Sequence, residues 1–118
     1  MVRPDPVLAL LGLAARAGAI VPGTERAREA VMAGAARYVI VAADASANAV
    51  DKLVPLMERR HVRHTREYSR EEIGIAVGRS PLSAVAVAER GFANRLATLI
   101  DARDGDTAAK PVGPGRTT

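Results

Sequence analysis

Two short, unbroken apolar runs, Tyr38-Val-Ile-Val-Ala42 and Ala84-Val-Ala-Val87, set the tightest limit on what this chain can fold into. A strand with one face in water alternates apolar and polar residues, whereas a run without alternation marks a strand covered on both faces. The segments around these runs carry helical spacing, so helices must lie on both sides of a central sheet. The expected fold class is α/β, a three-layer α/β/α sandwich around a small mixed sheet.

The helix and turn signals are local. Asp5-Pro6 is a helix start, with an Asp cap and Pro in the first helical position. Val7, Leu8, Leu10, Leu11, Leu13 and Ala14 follow at helical spacing until Gly18. Ala19-Ile20-Val21 reads as a short extended piece closed by a turn at Pro22-Gly23. Thr24 reads as the cap of a second helix with Ala27, Ala30, Val31 and Gly34 on its inner stripe. Asp44-Ala-Ser46 leads into a third, with Val50, Leu53, Val54 and Met57 on one side, and Pro55 predicts a kink there or two pieces. His61 to Tyr68 reads as a polar edge strand. Ser69-Arg-Glu-Glu72 is a capping box opening a helix from Arg70 to Val77, which Gly78 ends. After the loop Arg79-Ser-Pro-Leu-Ser83 and the second buried run, the last helix is expected from Phe92 to Ile100. Residues 1–101 are expected to form one domain; residues 102–118, polar and rich in Gly, Pro and Thr, are expected to be a disordered tail.

Composition narrows the function classes. The 118 residues include no cysteine, so a disulfide framework and a thiolate zinc site are both excluded. No apolar run reaches membrane-spanning length, and Met1-Val-Arg-Pro-Asp5 does not read as a signal peptide, so a cytoplasmic protein without membrane contact is expected. The net charge is +4, and all but two of the 17 basic residues, Lys52 and Lys110, are arginine. Arginine suits bidentate contacts to phosphate and guanine. Abundant Ala, Arg and Gly also follow from a GC-rich coding sequence, so the charge permits nucleic-acid binding without establishing it.

Catalytic signals are weak. Gly18-Ala-Ile-Val-Pro-Gly23-Thr24 has the glycine spacing of a phosphate loop, but Thr24 stands where the loop needs lysine, which favours a structural turn. His61 and His64, three apart on the expected strand, would face opposite ways and could not share a metal. Glu71 and Glu72 are explained by the capping box and the helix dipole. The serines sit at caps and turns. The expectation is a protein with no catalytic residue, no metal and no cofactor.

Leu11-Gly-Leu-Ala-Ala-Arg-Ala-Gly18, Val21-Pro-Gly-Thr24, Tyr38-Val-Ile-Val-Ala-Ala-Asp44-Ala-Ser46, Ile73-Gly74-Ile-Ala-Val-Gly78, and Val85-Ala-Val87 with Gly91-Phe92-Ala93 occur in an order and spacing that resembles the ribosomal protein L7Ae/L30e superfamily. The bacterial YlxQ-type branch is the nearest in pattern, and the resemblance spans Leu10 to about Leu96. It implies the same three-layer sandwich and a role in binding RNA kink-turns. It also implies a surface built from the start of the second helix, the turn after the first long strand and the loop before the last strand. On this chain those parts are Gly23, Thr24, Glu25, Arg26, Arg28 and Glu29; Asp44; and Arg79, Ser80, Pro81 and Leu82. Free helix-start amides there can hold a phosphate, polar side chains can read base edges exposed in a distorted helix, and Pro81-Leu82 can pack on a splayed nucleotide.

Kink-turn binders commonly carry Gly-Thr-Asn-Glu-x-x-Lys at the helix start. Here Glu25 stands at the Asn position, Arg26 at the Glu and Glu29 at the Lys. Sliding the alignment by one brings Glu25 and Arg28 nearer the pattern and misplaces Gly34. Glu25, Arg26 and Glu29 also read as a solvated helix face with intrahelical pairing. The partners the resemblance implies are structured RNA, ribosomal RNA among them, and the ribosome or a translation factor, bound by a monomer. The superfamily also contains members that act through protein partners, so a protein-interaction module that has lost kink-turn recognition is the alternative reading.

Overall fold

The computed structural model describes residues 5–108, with side chains through Arg103. Five helices and four strands follow in the order α1 (Pro6–Arg16), β1 (Ile20–Pro22), α2 (Thr24–Met32), β2 (Tyr38–Val41), α3 (Ala47–Arg59), β3 (Arg63–Arg66), α4 (Arg70–Val77), β4 (Ala84–Val87) and α5 (Arg90–Ala108). The sheet order is β1-β4-β2-β3, with β4 antiparallel to both neighbours and β2 parallel to β3. This is the expected mixed sheet, with the polar strand at an edge.

Period-two alternation divides the two apolar runs between the two faces. Tyr38, Ile40, Val85 and Val87 join Leu11, Ile73 and Leu96 in a core beneath α1, α4 and α5. Val39, Val41, Ala84 and Ala86 meet Ala27, Val31, Leu53 and Met57 beneath α2 and α3. Full burial of each large side chain stabilises the fold by about 1.5–3 kcal/mol. Alanines on the second face of β4 let α2 approach the sheet closely.

Several local expectations are met. The Asp5 carboxylate accepts from the Val7 and Leu8 amides. Ser69 and Glu72 form the reciprocal capping box, and Gly78 ends α4 in the left-handed region at φ 75°. Other details differ. Thr24 is the first residue of α2 and caps nothing; Gly23 is the N-cap, at φ 102° and ψ 150°, and brings no side-chain bond. His61 is not part of the edge strand but occupies a left-handed turn before it, at φ 57°. Pro55 does not divide α3 into two pieces; the helix is continuous. Asp51, whose carbonyl loses its partner at Pro55, is exposed, as is Pro55 itself, so water can replace that bond.

The last helix exceeds its expected bounds at both ends. The Glu89 carboxylate accepts from the Phe92 amide and opens the helix earlier. At the other end α5 runs on to Ala108, past the domain boundary expected at residue 101, so 102–108 are helical rather than disordered. Asp101 pairs with Arg63 at 3.3 Å, while Arg103 hydrogen-bonds the Glu67 carboxylate and the Tyr68 hydroxyl. Those charges face the edge strand and the turn after it, which carries the helix beyond its apolar stripe. The remainder of the expected tail, 109–118, lies outside the described residues.

Glycine sets two close approaches. A Cβ at Gly12 would stand 2.8 Å from the Ala76 carbonyl oxygen, so α1 rests directly on α4 there. A Cβ at Gly74 would meet the backbone carbonyls of Arg79 and Ser80 well inside van der Waals contact. The loop before β4 therefore lies against α4 only because residue 74 has no side chain. Replacing Gly74→Ala should destabilise the chain by about 1–3 kcal/mol through overpacking, read as a lowered midpoint in urea; an unchanged midpoint would contradict this packing.

Candidate nucleic-acid interface

The sheet register gathers three loops at one end of the sandwich. Pro22 pairs with Val85 and Val41 with Ala84. One step further, the Gly23 amide donates to the Ala84 carbonyl at 2.9 Å, and the Ala42 amide donates to the Ser83 carbonyl at 2.8 Å. The start of α2, the loop after β2 and the approach to β4 are thus fastened to one another through β4. Both α2 and α3 begin at this end and run toward the other.

At the start of α2 the first-turn amides of Thr24, Glu25 and Arg26 have no intrahelical acceptor. Asp5, Ser46 and Ser69 supply side-chain caps to α1, α3 and α4, and Glu89 does so for α5; Gly23 supplies none to α2. Uncapped amides at the positive end of a helix dipole can accept an anion from outside. Gly23 also keeps the approach open, since nothing lies within 4 Å of where a Cβ would stand.

The charges here are paired across elements. Lys52 on α3 donates to Glu25 at 2.8 Å, with Arg28 a weaker partner at 3.8 Å. The Lys52 hydrogen bond and charge hold the Glu25 carboxyl below its usual range. Asp44 accepts from the Arg70 amide at 2.8 Å and faces its guanidinium at 3.6 Å. That amide bond, more than the guanidinium, lowers the Asp44 carboxyl. All these groups are exposed or half-exposed, and solvent screening leaves pairs of this kind with little net effect on stability. Arg26, Glu29 and Arg79 are exposed, with no ion-pair partner among the described residues.

The expected residues do not all converge. Gly23, Thr24, Glu25 and Arg26 lie at the same end as the Asp44 loop and Leu82, whose amide donates to the carbonyl of Arg70, the residue bonded to Asp44. Arg79 and Ser80 are set back along α4: the Arg79 amide donates to the Gly74 carbonyl. Arg28 and Glu29 lie further along α2. Pro81 is exposed, while Leu82 is partly buried against the core and is not a free contact. Lys52 and Arg70 were not among the expected residues. Each is more than twenty residues from its carboxylate, and only the tertiary fold joins them.

Tyr68 supports the end from below. At φ 69°, its carbonyl accepts from the Ala43 amide at 2.8 Å, one residue before Asp44. Its hydroxyl bonds the Asp5 carboxylate and receives the Arg103 guanidinium. Among the described residues no group of three His, Cys, Asp or Glu side chains could hold a metal, and no helix is long and apolar enough to cross a membrane.

A mixed sheet between two helical layers, with an uncapped helix start and two polar loops at one end, defines an α/β/α domain whose loop end is its candidate binding surface. The chain belongs to the ribosomal protein L7Ae/L30e/S12e/Gadd45 family, whose model matches residues 5–97. The RNA-binding protein YlxQ of Bacillus subtilis (strain 168) is 34% identical over 92 residues, which is 78% of this chain and 92% of that protein. A solved Bacillus halodurans protein of unknown function superposes with a TM-score of 0.80 at 33% identity, covering 83% of this chain and 99% of that one. The Giardia lamblia 15.5kD RNA binding protein shares the fold, with a TM-score of 0.70 at 24% identity over 85% of this chain and 89% of its own.

Burial, with the Asp5 carboxylate adding to it and Arg103 opposing it, pushes the Tyr68 phenol from 10.0 up to about 12. A raised phenol favours the folded chain fully below pH 10, and that contribution is lost as pH rises from 10 through about 12. An absorbance titration should show a phenol ionising near pH 12 that Tyr68→Phe removes. Ionisation of Tyr68 near pH 10 would contradict the partly buried, bonded hydroxyl.

Proposed function

We propose that this chain is a non-catalytic, monomeric RNA-binding protein of the cytoplasm that recognises structured RNA of kink-turn type, in the setting of the ribosome or translation. The observation that carries the reading is the uncapped start of α2, fastened through β4 beside the Asp44 loop. Its amides can hold a phosphate where an RNA backbone turns sharply, and the side chains around it can reach base edges that a regular A-form helix hides. The relationship to YlxQ, named an RNA-binding protein, supports the same function here.

The departures from the usual kink-turn helix gain a physical sense in this setting. Lys52 engages Glu25, so the acid at the Asn position does not stand as a bare negative charge against phosphate. Arg26 at the start of α2, and Arg79 from its set-back position along α4, are the cations expected to meet the backbone, and Glu29 is the residue expected to limit affinity. A protein-partner role on the same fold is the outcome if structured RNA is not bound.

Crosslinking in cells followed by sequencing of the bound RNA should recover kink-turn elements. In vitro, Arg26→Glu with Arg79→Glu should weaken kink-turn binding at least ~10-fold and lower the salt dependence of log affinity by about two. Glu29→Lys should tighten binding to a kink-turn more than to plain duplex. Equal tightening on both would mean added charge without readout, and wild type that binds no structured RNA would replace this reading with the protein-partner one.

A further inference from the structure

A further set of cations lies along the outer seam between α2 and α3. Arg28, Lys52 and Arg59 line a groove there with Met32, Pro55 and Leu56, and its one acidic side chain is Asp51. Arg60 belongs to this groove and to a second one, which continues past the C-terminal ends of both helices. The second groove has Val31, Ala36 and Val62 on its walls, Arg37 and Arg63 at its rim, and no acidic lining residue. The two grooves form one basic path from the Glu25–Lys52 pair, near the loop end, to the opposite end of the sheet.

Part of this charge has a structural use. Arg59 and Arg60 complement the negative C-terminal end of α3, and Arg60 donates to the Met32 carbonyl at 3.1 Å, tying α3 to the last turn of α2. That explanation does not reach Arg37, which stands on no helix and has no ion-pair partner among the described residues. Arg63 lines the groove but turns its guanidinium toward Asp101 on α5, so it adds little charge to the path. Lys52 and Arg59 stand about 10 Å apart along α3, at about 1.5 Å per residue. A line of cations along a shallow groove fits a chain of regularly spaced monoanions, and guanidinium groups suit phosphodiesters.

We infer that the α2–α3 seam and the groove beyond it form a track for the phosphate backbone of an RNA helix adjoining the element read at the loop end. The inference rests on the RNA-binding reading above and extends it. The loops supply specificity, and the track supplies sequence-independent, salt-sensitive affinity for the flanking stem. Affinity then depends on the length of that stem as well as on the turn itself.

The test uses three RNAs: a kink-turn with its flanking stems cut short, the same kink-turn with one stem extended by a helical turn, and a plain duplex. The variant is Arg37→Glu with Arg59→Glu, both exposed and outside the loop-end site, with circular dichroism to check the fold. The control is Arg16→Glu with Arg95→Glu, the same charge change placed on the α1 and α5 layer. Wild type should bind the extended kink-turn at least ~10-fold more tightly than the short one. The track variant should lose that gain and about two units of salt slope, with little change on the short RNA. Equal losses in variant and control, or no loss in the variant on the extended RNA and the duplex, would overturn the track. Wild type that prefers neither kink-turn over duplex would defeat the recognition reading alone; the track then stands or falls on whether the variant weakens duplex binding.

Discussion

Strand β4 is hydrogen-bonded along both edges and covered on both faces, and the rest of the molecule is arranged around that fact. A buried strand must satisfy every amide and carbonyl through its neighbours, because an unpaired buried group costs about 1–3 kcal/mol. Here β1 takes one edge and β2 the other, and the bonding continues past the strand ends through Gly23 to Ala84, Ala42 to Ser83 and Ala88 to Ala19. Register in such a strand cannot slip by one residue without exchanging the two cores. The positions of the loops at its N-terminal end follow from that fixed register. A rigid sheet therefore holds a surface made of loops, and an RNA would meet it without ordering the scaffold first.

The electrostatics at that end are of a different kind. Core contacts are fixed, whereas Glu25–Lys52 and Asp44–Arg70 are solvent-facing pairs whose net worth is small. Such pairs keep cations near an uncapped helix start while leaving them free to change partners. A phosphate arriving at α2, as proposed, could draw on Lys52 at little cost to the fold. The capped starts of the other helices offer no such opening, since Asp5, Ser46, Ser69 and Glu89 already occupy their amides.

What could be read from the sequence was what is decided locally. The Asp5 cap, the Ser69–Glu72 box, the Gly78 stop and the two buried runs each rest on a few consecutive residues, and the structure contains all of them. The Thr24 cap was misassigned because Gly23, with its positive φ, can turn the chain into the helix without a side-chain bond. The length of α5 was hidden because ion pairs with the edge strand and the turn after it, and not an apolar stripe, carry its end. For the candidate site, the three loop segments were legible through family resemblance. The pairing of Glu25 with Lys52 and Asp44 with Arg70 was not, because partners so distant in sequence meet only once the sheet has formed. The set-back of Arg79 was likewise invisible, since it depends on the Gly74 carbonyl and on the space a missing side chain leaves.

If the uncapped amides of α2 bind RNA, amide-resolved hydrogen exchange with and without a kink-turn RNA will show it. In the free protein the Thr24, Glu25 and Arg26 amides, which lack acceptors, should exchange fast, while Val7, Ala49 and Glu72, bonded to their caps, should exchange more slowly. On adding RNA the three α2 amides should slow by at least ~10-fold, with smaller changes around Asp44 and Leu82 and none at the capped starts. RNA bound at saturation with the α2 amides still exchanging fast, or with protection confined to the α1 and α5 layer, would contradict it.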